Sequence, residues 1–297
     1  MNKPSPNSNK SMRQAFGETL LTLARTNHNI YVVSMDLASS LSIDKFSAEF
    51  PDRFIECGIT ESHAASFAAG LAKTGKTVFL CSFACFSPAI NWAQIRQSIC
   101  ENELNVKIVG SHAGLLSGRL GASHQMLEDI ALMRTLPKME VFAPLDANEI
   151  ETMLPLITAS SSPSYIRLVR PDTPTFSQPN FQIGKANILQ TGSKITIIGY
   201  GPVLFEAFKI ENAEIINCSS IKPLDEKTII ESVKKTKNLL IIEDHQKNCG
   251  LGEAIASLIL NQKIDCQFRH IAIDNQFGQS GDPADLYKFY GLDLCTI

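Results

Sequence analysis

Long apolar stretches are missing from this 297-residue chain. Its longest runs, such as residues 78–81 and 239–242, fall far short of the roughly 20 apolar residues that a membrane-spanning helix needs, so no membrane partner is expected. Charge of one sign is equally scarce. With 27 basic against 30 acidic side chains the formal charge is −3, which creates no field to gather nucleic acid or an anionic surface. No CxxC pair occurs among the eight cysteines, Cys57, Cys81, Cys85, Cys100, Cys218, Cys249, Cys266 and Cys295. Most of them lie in apolar runs, where a thiol behaves as a small hydrophobe, so a metal site built on cysteine is not expected and a reducing cytoplasm fits. Fixed-period repeats and low-complexity tracts are absent too.

What remains is a globular composition, 44% apolar and 19% charged, in a chain about twice as long as a typical single domain. Residues 1–10 are polar, hold two prolines and lack the apolar middle of a secretory signal, so residues 1–11 are expected to form a flexible tail. Phe16, Leu20, Leu23 and Ala24 recur at helical spacing and predict a helix over 12–26. IYVVSMD and FIECGI then read as buried strands, followed by a small-residue helix over about 61–73. TVFLCSF and VKIVGSH predict strands on either side of a helix over 88–101, and MEVFAP and YIRLV predict two more. Residues 171–184 are proline-rich and aperiodic, as in a crossing between domains. The fold class expected is α/β in two domains, 12–170 and 185–297, each a mostly parallel sheet covered by helices. The second domain is built on KITIIGYG, AEIINCS and NLLIIED, with helices over 225–235 and 251–260.

Open parallel sheets bind ligands beyond the carboxyl ends of their strands. That singles out Asp36 after IYVVSM, Glu61 after FIECGIT, Phe83 and Phe86 after TVFLCS, and SHAGLLSGRLGASHQ after VKIVG. Glu61 has an ordinary role open to it, complementing the helix dipole behind a Thr60 cap. The small residues that follow, Ala64, Ala65, Ser66, Ala68, Ala69 and Gly70, nevertheless let the helix start lie close to another backbone, and a carboxylate buried there needs a partner. Phe83 and Phe86, three apart at a strand end, are compatible with plain core packing. His112 and His124 share one glycine-bearing loop and suit proton transfer, because imidazole gives and takes a proton near neutral pH.

Taken in order, GITESHAASFAAGLA, CSFACF, VKIVGSHAGLLSGRLGASHQMLEDIALMR and VFAPLDANE resemble the pyrimidine-binding domain of thiamine-diphosphate enzymes of the transketolase family. IIEDHQKNCGLGEAIA and FGQSGDPADLYKFYGL resemble the transketolase C-terminal domain, so the resemblance covers nearly everything after Met12. It is closest to the C-terminal subunit of split, two-chain transketolases. The resemblance implies transfer of a two-carbon ketol unit from a ketose donor to an aldehyde acceptor. It gives Glu61 the role of hydrogen-bonding the aminopyrimidine of thiamine diphosphate, Phe86 that of stacking on it with Phe83 alongside, and Asp36 a turn near cofactor and partner. Ala89 stands where full-length relatives often carry tyrosine. By the same resemblance, His112 and His124 lie near substrate oxygens, and Arg13, Ser40 and Arg170 fall where the family binds a substrate phosphate.

Two departures from the family pattern carry consequences. Residues 118–125 read GRLGASHQ, where full-length transketolases read like GEDGPTHQ. Leu120 replaces an aspartate that bonds an acceptor's α-hydroxyl, which favours an acceptor without that hydroxyl or a different one. Arg119, in place of a carboxylate, suits an anionic substrate group. The family's GDG motif, which with a later asparagine holds the diphosphate and its divalent metal, occurs nowhere in this sequence. An N-terminal transketolase subunit bearing GDG is therefore expected to bind Mg2+ or Ca2+ and to share thiamine diphosphate with this chain in an α2β2 heterotetramer acting on a sugar or sugar phosphate. A β subunit of a 2-oxoacid decarboxylase or dehydrogenase, or of a pyruvate-decarboxylating synthase, shares the domain pair and is the alternative. A noncatalytic structural subunit is a second alternative. The two histidines and the FGQSGDPADL ending favour transketolase.

Overall fold

A computed structural model describes residues 5–176 and 180–294; residues 1–4 of the expected tail, 177–179 of the expected crossing and Cys295 lie outside the described residues. The first part of the chain carries strands β1 (Ser5–Ser11), β2 (Ile30–Ser34), β3 (Phe54–Glu56), β4 (Thr77–Phe83), β5 (Val106–Ser111), β6 (Glu140–Phe142), β7 (Ser164–Arg167) and β8 (Asp172–Thr175). Its helices are α1 (Met12–Thr26), α2 (Asp44–Glu49), α3 (Glu61–Lys73), α4 (Trp92–Gln94), α5 (Asp129–Arg134) and α6 (Ala147–Ala159). The second part adds β9 (Asn187–Gln190), β10 (Ile195–Gly199), β11 (Ala213–Asn217), β12 (Ser220–Lys222), β13 (Asn238–Gln246) and β14 (Gln267–Ile273), with α7 (Glu226–Thr236), α8 (Leu251–Asn261) and α9 (Pro283–Phe289). Among the described residues no helix is long and apolar enough to cross a membrane.

Two mostly parallel sheets result, as expected. The first runs β12-β6-β7-β5-β4-β2-β3, parallel except where β12 meets β6, and the second runs β14-β13-β10-β11-β9, parallel except for β9. Every residue of β4 and β5 is buried, because helices cover both faces of the first sheet. Alternation sorts their side chains. Phe79 and Cys81 share a core with Phe16 and Leu20 of α1, while Val78 and Leu80 pack with Ala64 and Ala68 of α3. With only alanines at its buried positions, α3 settles close to the sheet.

Two expectations are corrected. In place of a tail, Ser5–Ser11 is a strand paired antiparallel with β8, with Lys10 opposite Thr173 and Ser11 opposite Asp172. Such a ribbon is held by backbone hydrogen bonds and needs no apolar side chains, so nothing in its composition announces it. In place of one helix over 88–101, residues 88–91 form turns and α4 leads into a π-helical turn at Ile95–Cys100. Buried Asn91 gives its side-chain amide to Glu61 O and Ser87 Oγ, both at 3.1 Å, and such a local polar anchor competes with helix. Burial pushes the Cys85 and Cys100 thiols up to about 11 and raises Cys81 and Cys218 as well, which keeps them inert.

Charge is buried where the two parts meet. Arg167 in β7 pairs with Asp129 at 2.9 Å, both essentially without solvent contact, and Tyr165 OH donates to the same carboxylate oxygen at 2.7 Å. Arg167 Nη2 also donates to Asp244 O of β13 at 2.8 Å. Replacing Arg167 with leucine strands the Asp129 charge, so Arg167→Leu should cost about 3–5 kcal/mol. A denaturant titration checks this as a lowered midpoint, and a loss under about 1 kcal/mol would contradict the buried pair.

Candidate active site

The carboxyl edge of the first sheet gathers the residues singled out from the sequence. Asp36 follows β2, Glu61 follows β3, Phe83 ends β4, His112 directly follows β5 and Arg170 follows β7. Register does the rest. Because Phe83 lies opposite Ser111, the next residue, His112, stacks on the Phe83 ring at a centroid distance of 3.8 Å. Phe86 lies nearly parallel to Phe83 at 5.9 Å, and His124 meets Phe83 and Phe86 edge-on at 6.3 and 5.6 Å. Residues far apart in the chain thus form one cluster of rings.

His112 is held in the left-handed region, with φ of 58°, and is buried. Ser111 Oγ lies 2.9 Å from its Nδ1, which leaves Nε2 for a further partner, and Ser117 Oγ donates to its carbonyl. Burial, then Arg13, Arg170 and His124, bring its pKa down to about 3. Arg13 of α1 donates from Nη1 to Ser40 O at 2.7 Å, and Arg170 Nη1 reaches Ser117 O at 3.5 Å. Burial, and next the nearby Arg170, lower the Arg13 pKa, and Arg13 Nε is buried without an acceptor. Arg13, Ser40, Arg170 and His112 therefore form a second group beside the rings, one that offers unused donors to an anion.

Glu61 opens α3 but is only half-buried in the single chain, and Ile59, two residues before it, and Ile90, next to its anchor Asn91, are 77% and 58% exposed. Thr60 does not cap this helix. Its hydroxyl donates instead to Cys57 O at 2.8 Å. After burial, the Glu61 charge is a further cause of the raised Cys85 pKa, which places the two side chains near each other. Asp36 is exposed, with φ of 60°. Glu56 organises this side: its Oε1 accepts the Asp36 and Gly58 N–H groups, both at 2.8 Å, and so ties together the turns that carry Asp36 and lead into Glu61. Sequence reasoning passed over Glu56, although a carboxylate at the end of an otherwise apolar strand was its signal.

Arg119 stands apart from the basic group. It is exposed and bound to Asp282 of the second part through two hydrogen bonds of 3.0 and 3.1 Å, so its fork is already occupied. Leu120, beside it, is 38% exposed. Upstream, Leu115 N–H donates to Asp244 Oδ1 and Oδ2 at 2.9 and 3.2 Å. Gly114, with φ of +75°, has to be glycine, since a Cβ there would lie 2.2 Å from Asp244 Oδ2.

Rings, a carboxylate and paired imidazoles thus gather at the carboxyl edge of one mostly parallel sheet in a two-domain α/β protein, with the second α/β layer gripping the loop between the imidazoles. The family models agree: "Transketolase, pyrimidine binding domain" matches residues 8–175 and "Transketolase, C-terminal domain" matches residues 184–297. The chain belongs to the transketolase family. A candidate transketolase C-terminal section of Methanocaldococcus jannaschii is 40% identical over 96% of this chain and 93% of its own length. One of the subunits of the apulose-4-phosphate transketolase of Phocaeicola vulgatus is 34% identical over 95% of this chain and 93% of its own. Among solved structures, a split-gene transketolase described as an inactive beta4 tetramer superposes with a TM-score of 0.87 at 34% identity, covering 95% of this chain and 94% of that one.

The low pKa of His112 has a signed consequence. The folded chain keeps the ring neutral while the unfolded chain takes up a proton below about pH 6.5, so stability falls as pH drops from about 6.5 toward 3. Between pH 7 and 5 the loss due to His112 should be about 1–2 kcal/mol. Denaturant midpoints at the two pH values, compared with those of His112→Gln, check it: the variant should lose that part of the pH dependence.

Proposed function

We propose that this chain is the C-terminal subunit of a split transketolase that transfers a two-carbon ketol unit to an aldehyde. The observation that carries the reading is the convergence of Glu61, the Phe83–Phe86 pair, His112 and His124 on one half-open edge. Thiamine diphosphate would supply the carbon nucleophile when bound. The residues present fit it: a half-buried carboxylate whose backbone is fixed by Asn91, next to stacked rings and exposed apolar side chains that a second surface would cover. Glu61 holds a proton at the pyrimidine ring, and Phe83 and Phe86 keep water from it. His112, neutral at physiological pH, offers Nε2 as a hydrogen-bond partner to a substrate oxygen, and His124 gives or takes the proton. Arg13 and Arg170 receive the anionic end of the substrate. The relative whose name contains apulose-4-phosphate supports a phosphorylated ketose at this place.

Diphosphate and its Mg2+ or Ca2+ are assigned to a GDG-bearing partner subunit in an α2β2 assembly in the cytoplasm. The inactive β-only tetramer of the split-gene neighbour supports the need for such a partner. In the reconstituted complex, Glu61→Gln should lower ketol transfer from β-hydroxypyruvate by roughly 100-fold or more. Unchanged turnover would point to a structural subunit, and turnover of pyruvate alone to the decarboxylase reading. Leu120 sets the acceptor. Leu120→Asp should raise kcat/KM for α-hydroxyaldehydes by roughly 10–100-fold relative to acceptors that lack the hydroxyl, as competition between two aldehydes would show.

A further inference from the structure

The FGQSGDPADL segment stands out in the sequence, and the site chemistry leaves it without a task. In the fold it lies against the loop between His112 and His124. Gln125, buried and next to His124, donates from Nε2 to Gly118 O and to Gln279 O, both at 2.9 Å. Its Oε1 is packed so tightly that a Cβ on Gly278 would lie 1.8 Å from it. Ser280 Oγ donates to Arg119 O at 2.7 Å, and Asp282 holds the Arg119 guanidinium. At the far end of the loop, Tyr287 of α9 approaches Asp244 at 3.5 Å, the same carboxylate that receives Leu115 N–H. The second domain therefore grips the loop at its start, its middle and its end.

We propose that residues 277–287 are a clasp for the substrate-facing loop, with Gln125 and Asp282 as positioning residues that fix where Leu120 and His124 stand. The loop needs such help. Gly118 and Gly121 both have positive φ, and beyond the short 3-10 turn at Leu115–Leu120 its own backbone bonds are the short-range ones from Ser117, Gly121, His124 and Gln125. The substrate half of the proposal rests on the transketolase reading; the mechanical half does not.

Amide hydrogen exchange on the full chain tests the mechanical half without cofactor or partner. In Gly278→Ala the amides of 121, 124 and 125 should exchange about tenfold faster while those of β4 and β5 keep their protection. Should Gly278→Ala fail to fold, Asp282→Asn decides, because losing an exposed ion pair leaves the fold intact. Faster exchange confined to 118–125 in Asp282→Asn supports the clasp, and unchanged exchange there overturns it. In the reconstituted complex, the acceptor KM should rise about tenfold in either variant, with kcat at saturating acceptor within about twofold. An unmoved KM alongside a loosened loop overturns the link to substrate. Absence of ketol transfer in the unaltered complex overturns the functional reading instead, and the exchange result still decides the clasp.

Discussion

Asp244 is the residue on which the rest depends. Its carboxylate lies out of water at the end of β13, and burial raises its pKa against the pull of Arg167 and of Leu115 N–H. A buried carboxylate keeps its charge only when donors surround it, so the chain has to deliver those donors with little freedom. That requirement fixes Gly114 as glycine and seats Leu115. It also brings the backbone carbonyl of Asp244 to Arg167, whose guanidinium is held on its other side by Asp129. One acidic side chain thus ties the docking of two sheets to the path of the loop that presents both imidazoles.

The basic group beside the rings obeys the opposite logic. Burial, and then the charges of Arg13 and Arg170, disfavour a proton on His112, which stays neutral, and burial and then Arg170 lower the Arg13 pKa as well. A folded chain retains such crowding where the site has a use for it, and an anion bound among these groups would relieve it. The rings have a matching incompleteness, since Phe86 is only half-buried and Ile90, whose N–H donates to Phe86 O, stands in the open.

Much of this was legible in the sequence, and the limits have physical causes. The β4 and β5 runs, α1 and α3 showed because burial imposes a period or a continuous apolar run, and the strand ends then pointed to Asp36, Glu61, Phe83, His112 and their neighbours. Helix α6 stayed hidden behind Pro155, although Asp146 caps it by accepting Glu149 N–H at 2.9 Å. Strands β1 and β8 carry no apolar signature at all. Arg119 could be read as a substrate ligand because its partner, Asp282, lies 163 residues away, and no local pattern reports so distant an ion pair. Glu56 and Asn91 were passed over for the same reason: their partners are turns and carbonyls, which composition does not record.

Strand β12 belongs to the second domain by position in the chain, yet it extends the first domain's sheet, with Ser220 opposite Phe142 on β6. The boundary drawn at residues 171–184 therefore divides a text, not a body. Excising the first domain would bare the rim of β6, a ready template for unwanted strand pairing, and the remainder would carry an orphaned ribbon. Shuffling these modules between relatives would succeed only where the donated piece brings its own sealing strand.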